Sequence, residues 1–157
     1  MASTRIKSFK IRNSEFFGDT IAFDLSAKMN CIMGGRGTGK TTLLTILNWA
    51  ICPDDSIARE AIALIKSNLR SGSAEVVFED EEGNEFTVTR MFGDAPTVKN
   101  IQGEHVSFES FSKQFGIDYF PTGAIENIGI EPRQRLRLFD GYIGGQIAEV
   151  NAEIGMV

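Results

Sequence analysis

Histidine is almost missing from this chain of 157 residues, with His105 its single instance. The two cysteines, Cys31 and Cys52, lack CxxC spacing and a histidine pair, so neither a zinc site nor a disulfide framework is expected. No stretch approaches the roughly 18 uninterrupted apolar residues of a membrane span, and the opening MASTRIKSFKIR lacks the apolar block of a signal peptide. The expectation is therefore a soluble, intracellular protein, cytoplasmic or nucleoid-associated, with no membrane partner. Basic charge is also short: 16 Lys and Arg stand against 21 Asp and Glu, a formal charge of −5, which excludes a domain that coats nucleic acid by bulk charge. Any DNA contact has to be local. Internal repeats and low-complexity tracts are missing too, and the acidic run Glu79–Glu82 reads as a solvated hairpin end.

What remains is 42% hydrophobic and 24% charged, the make-up of one globular domain that can bury its core without a metal or disulfide staple. RIKSFKIR (5–12) and TIAFDL (20–25) alternate around Gly18-Asp19, as a β-hairpin does. A third apolar run, Met29–Met33, predicts a strand that feeds the glycine-rich GGRGTGKTT. Leu43, Leu44, Ile46, Leu47 and Ala50 then recur at helical spacing until Pro53. A second helix is expected from a cap at Asp54 or Asp55 through Ile57, Ala61, Ile62 and Ile65 to about Leu69, closed by Gly72. AEVVFED and EFTVTRMF flank a Glu82-Gly83-Asn84 turn as a second hairpin. A loop with Pro96 and Gly103, a short helix at 108–115 and a buried strand at 117–120 follow. A helical stretch at 131–140 is arginine-rich, and an amphipathic segment begins at Gln146. Trp49 is expected in the core, and His105 in a loop.

The informative feature is Gly34-Gly35-Arg36-Gly37-Thr38-Gly39-Lys40-Thr41, which fills every fixed position of G-x-x-x-x-G-K-[ST] between an apolar run and a periodic helix. Glycines let the backbone curl until successive N–H groups point inward, where they and the positive end of the following helix cradle a phosphate. Lys40 then neutralises charge on the β- and γ-phosphates, and the Thr41 hydroxyl binds Mg2+. Hydrolysis also needs a second magnesium carboxylate and a group that positions water. Val76-Val77-Phe78-Glu79-Asp80 has the outline of such a strand, but its charge at Glu79 and the turn that follows make it an ordinary antiparallel strand.

The order of hairpin, strand, P-loop with GKTT and two-strand insertion resembles the N-terminal half of the ATPase head in the structural-maintenance-of-chromosomes (SMC), SbcC, RecF and RecN group, the Rad-fifty-like ABC-class ATPases. The resemblance implies an α/β P-loop lobe with a mixed central sheet and an antiparallel β-subdomain. Residues 1–145 would form the N-terminal lobe and 146–157 the start of a coiled-coil arm. A C-terminal lobe, supplying the signature motif and the missing carboxylates, and a second head engaged on ATP are the implied partners. The activity implied is ATP hydrolysis coupled to DNA processing, repair or defence. The loop GGRGTGK, with Arg36 where many relatives have asparagine, also resembles SMC-like ATPases found beside nuclease domains in bacterial defence systems, which makes a nuclease a candidate partner.

Residue by residue, the resemblance assigns ATP and Mg2+ contacts to Gly34, Gly35, Arg36, Gly37, Thr38, Gly39, Lys40, Thr41 and Thr42, with Lys40 as the catalytic cation. Arg12-Asn13 is similar to the family's IRN segment, whose arginine reaches the nucleotide phosphates; the residues alone also fit a solvated hairpin end. The segment 119–125 resembles the family's Q-loop, with Thr122 in place of the glutamine that completes the magnesium shell. Partial echoes of the signature motif at Leu69–Ser73 and at Ile143–Gln146 both lack the full Ser-Gly-Gly, and Gly144-Gly145 is read as a joint between head and arm. Candidate DNA-backbone contacts are Arg133, Arg135, Arg137, Lys66, Arg70, Lys7 and Lys10, against the alternative of solvated faces. A self-contained P-loop small-molecule kinase or NTPase is the competing reading, with Asp80 as its carboxylate and residues 133–137 as its lid; a degenerate nucleotide-sensing scaffold is the third.

Overall fold

A computed structural model describes residues 4–52, 57–115, 119–120 and 136. The chain divides into two compact units, 1–117 and 118–157, and all elements discussed below lie in the first.

Six strands form one sheet: β1 (Arg5–Ser14), β2 (Gly18–Asp24), β3 (Ser73–Glu79), β4 (Glu85–Met91), β5 (Thr97–Asn100) and β6 (His105–Val106), in the order β2-β1-β3-β4-β5-β6. Every pairing among the described residues is antiparallel. The hairpin β3–β4 follows from alternation and turn chemistry together. Residues Ala74, Val76 and Phe78 are buried while their neighbours in β3 are not, and the Asp80 carboxylate accepts the backbone N–H of Glu82 (2.9 Å) and Asn84 (2.8 Å) across Gly83. In the first hairpin the turn comes earlier than the sequence suggests. Ser14 pairs with Gly18, so Glu15, Phe16 and Phe17 make the loop and Gly18 opens β2.

Register places one apolar layer on one face: Ile11 opposite Ala74, Phe9 opposite Val76, Phe78 opposite Phe86, Val76 opposite Val88, and Val88 opposite Val98. The other face carries a charged ladder, with Arg5 on Glu79 (3.0 Å), Lys7 on Glu85 and Glu79, and Lys10 (3.1 Å) and Arg12 (3.4 Å) on Glu75.

Helices α1 (Lys40–Ile51), α2 (Arg59–Asn68) and α3 (Phe108–Gln114) accompany the sheet. Helix α1 buries Leu43, Ile46, Trp49, Ala50 and Ile51 and packs against β3, β4 and α2. It ends at Cys52, which is extended, as a residue before proline prefers. Helix α3 brings Phe111 and Phe115 under Phe78 and Phe86, with ring centroids 4.7–6.3 Å apart. Fully burying each such ring stabilises the fold by about 2–3 kcal/mol.

Three expectations need correction. Met29–Met33 enters no ladder among the described residues: Met29 is 87% and Met33 90% exposed. An apolar run becomes a strand only if a neighbour offers its edge, and the sheet that forms here closes over β1 and β3 instead. The expected α/β class itself stands, with the described strands of its sheet paired antiparallel. Helix α2 is capped at Ala58 without a side-chain hydrogen bond; Asp54 and Asp55 lie outside the described residues. Tyr119 and Phe120 belong to no strand and are each 40% exposed, so the buried strand expected there is not observed at those positions.

Candidate functional site

The P-loop forms the turn that leads into α1. Gly37 and Gly39 both adopt left-handed backbone, φ +84° and +83°. Gly39 occupies the N-cap of α1, where no side chain caps the helix and no acidic residue stands in the first turn. The free N–H groups and positive end of a 12-residue helix therefore open toward an anion. Gly39 cannot be replaced cheaply: besides its φ, a Cβ there would lie 2.3 Å from Phe16 Cε1.

Inside the loop, Thr38 Oγ1 donates to the Gly35 carbonyl at 2.9 Å. Lys40 Nζ reaches back to donate to the Gly34 and Gly35 carbonyls, both at 2.6 Å. A recess of about 210 Å³ opens beside them, lined by Phe16, Gly37, Thr38, Gly39, Lys40, Thr41 and Thr42. Residues Gly34, Gly35 and Arg36 complete the loop and are exposed. Backbone donors, the Lys40 ammonium and the hydroxyls of Thr41 and Thr42 around one recess fit a Mg2+-bound triphosphate.

Not every expected residue joins this recess. Arg12 lies on the charged face of β1, paired with Glu75. Asn13 takes the left-handed conformation (φ 52°), and its carbonyl, with that of Arg12, lies so close to Gly72 that a Cβ there would sit 2.4–2.5 Å from both oxygens. Gly72 is thus a packing glycine. Thr122, the arginines at 133, 135 and 137, and Ile143–Gln146 lie outside the described residues. Of the other basic candidates, Lys7 and Lys10 are held by carboxylates, whereas Lys66 and Arg70 are exposed at the end of α2.

Asp80 is occupied by its turn. Besides the two backbone bonds it accepts the Asn84 side-chain amide at 2.9 Å, which with those N–H groups lowers its pKa. Glu79 is lowered by the hydrogen bond from Arg5. Neither carboxylate lines the P-loop recess, so the competing small-molecule enzyme loses its designated acid.

Two residues that matter here were not legible as site residues. Phe16, 52% exposed, forms one wall of the recess. Arg90, only 2% exposed, donates Nη1 to the Trp49 and Cys52 carbonyls at the end of α1 and stacks on the Trp49 ring at 4.8 Å. The signal for Arg90 lies in EFTVTRMF, where alternation puts it on the same face as Phe86 and Val88.

The sequence profile of the AAA domain family matches residues 8–139. The chain belongs to the AAA domain family. No curated protein matches this AAA domain in sequence. Among solved structures it is similar to one described under ATP-driven dimerization and DNA-stimulated activation of SMC ATPases, with TM-score 0.58 and 12% identity over 87% of this chain and 98% of that one. It is also similar to the Smc head domain with a coiled coil and joint from Pyrococcus yayanosii, with TM-score 0.66 and 14% identity over 96% of this chain. The AAA domain spans about a third of that second chain, 34%. The fold is therefore one it shares with these SMC head structures, and ATPase activity is what the AAA domain family implies. Among the described residues no helix is long and apolar enough to cross a membrane.

Proposed function

We propose that this AAA domain is the ATP-binding half of an SMC/SbcC-like ATPase head, which hydrolyses ATP when a C-terminal lobe and a second head complete the site. The observation that carries the reading is the pairing of a formed phosphate recess at Gly37–Thr42 with an exposed apolar run, Met29, Ile32 and Met33, leading into it. Exposed apolar surface of this kind marks an interaction site, and a strand added from another lobe would cover it.

In this reading the loop N–H groups and Lys40 hold the β- and γ-phosphates, and Thr41 supplies a hydroxyl to Mg2+, which when bound neutralises charge developing on the phosphates. Lys40 exchanges its two carbonyl partners for phosphate oxygens. Thr122 adds a second hydroxyl. Lys66, Arg70 and the arginines at 133, 135 and 137 are the proposed DNA-backbone contacts, and coupling of ATP turnover to DNA processing, repair or defence is the cellular role. Residues 146–157 begin the coiled-coil arm.

The test is Mg-ATP binding and turnover by the 157-residue chain beside Lys40→Ala. Binding lost in the variant, without turnover above background, supports a half-site. Steady turnover by the chain alone, abolished by Lys40→Ala, refutes it.

A further inference from the structure

Thr38 stands between Gly37 and Gly39, the two left-handed glycines of the loop, and its side chain turns back onto the loop's first half. Its Oγ1 donates to the Gly35 carbonyl at 2.9 Å. A Cβ on Gly34 would meet that same oxygen at 2.6 Å, and one on Gly35 would touch Thr38 Cγ2 at 4.0 Å. Gly34 is not among the positive-φ glycines, so what requires glycine there is room for the Thr38 hydroxyl, not backbone freedom. The Gly35 carbonyl also accepts from Lys40 Nζ at 2.6 Å, using the second lone pair of its oxygen. Two side chains therefore tie the start of the loop to its end.

These two ties differ in what nucleotide does to them. Lys40 is drawn off both of its carbonyls by phosphate oxygens in the proposed function, whereas Thr38 is neutral, short and stiff about χ1. We propose that the Thr38 hydroxyl is a positioning group, which keeps Gly35 folded against the loop while Lys40 changes partners, so that the loop N–H groups stay converged on the phosphates. The inference rests on the proposed nucleotide site and gives Thr38 a task inside the loop rather than on the ligand. A loop already held in its binding shape loses less freedom when the phosphates arrive.

The test pairs calorimetric titration of the full 157-residue chain with Mg-ADP and hydrogen exchange of its amides before any nucleotide is added. Thr38→Val keeps the shape and removes the hydroxyl. It is expected to weaken Mg-ADP about fivefold and to speed exchange at residues 35–39, while the amides of β3 and β4 keep their wild-type rates. Thr38→Ser returns the hydroxyl and is expected to recover most of both losses. Gly34→Ala is expected to weaken binding by itself yet to cost little when added to Thr38→Ala, because the oxygen it would strike is gone. Weakened binding in Thr38→Val with unchanged exchange at 35–39 would make the hydroxyl a direct phosphate ligand and overturn the inference. So would exchange quickened equally in β3 and β4, or Mg-ADP bound by Thr38→Val as by the wild type; in each case the phosphate site stands. A wild type that does not bind Mg-ADP overturns this inference and the proposed function together.

Discussion

Replacing Arg90 by methionine keeps a long side chain in the core but removes the guanidinium that closes the end of α1. The Trp49 and Cys52 carbonyls lose their Nη1 donor, and the ring of Trp49 loses the cation 4.8 Å from its centroid. A hydrogen bond from a charged group is worth about 1.5–3 kcal/mol, and a desolvated cation–π contact up to about 2 kcal/mol. Methionine recovers part of the packing, so the expected loss is about 3–5 kcal/mol, a large share of the roughly 5–15 kcal/mol that holds a domain together. For a chain of this size that lowers Tm by about 10 °C. Urea unfolding followed by the fluorescence of Trp49, the sole tryptophan, reads the change at the site itself. A loss below about 1 kcal/mol at unchanged m-value would refute the claim that Arg90 anchors the P-loop helix to the sheet.

Gly39→Ala forces a side chain to φ +83° and into the Phe16 ring, so it is expected to cost about 1–2 kcal/mol and to weaken Mg-ATP binding, measured by melting with and without nucleotide. Asp80→Ala removes the acceptor of the Glu82 and Asn84 N–H groups and lowers the unfolding midpoint, while Mg-ATP affinity stays unchanged because Asp80 is outside the recess. The charged face also predicts a pH dependence. Burial raises the Glu75 pKa, but hydrogen bonds and charge from Lys10 and Arg12 outweigh it, and Glu79 is lowered by Arg5; both end below the ordinary 4.5. Their stabilisation is complete above pH 4.5 and fades as pH falls through the lowered values. Lys7 is raised above 10.5, chiefly by its hydrogen bond to Glu85, so its share is complete below pH 10.5 and fades as pH climbs through the raised value. Tm against pH, with Glu75→Gln flattening the acid limb, checks both signs.

Local chemistry made some elements legible. The β3–β4 hairpin carries alternation and its turn within about 20 residues of sequence, and the P-loop is defined by the backbone freedom of its own glycines. Elements that depend on a neighbour were not readable. Thr97–Asn100 and His105–Val106 are too short to show a period, and they are strands only because β4 offers an edge. Met29–Met33 is the converse case, with an apolar pattern and no edge to join among the described residues. Phe16 reaches the recess through the docking of the hairpin tip on α2, a tertiary event that its local sequence does not encode. Arg12, a charged residue of the same hairpin, is held instead by Glu75 on the other face of the sheet.

The central claim is that residues 34–42 hold the phosphates of a nucleotide. Residue-resolved hydrogen exchange on the chain with and without Mg-ATP tests it most directly. The account predicts slowed exchange concentrated at the loop amides and the first turn of α1, absent in Lys40→Ala. Exchange unchanged there, or equally slowed in Lys40→Ala, would contradict it.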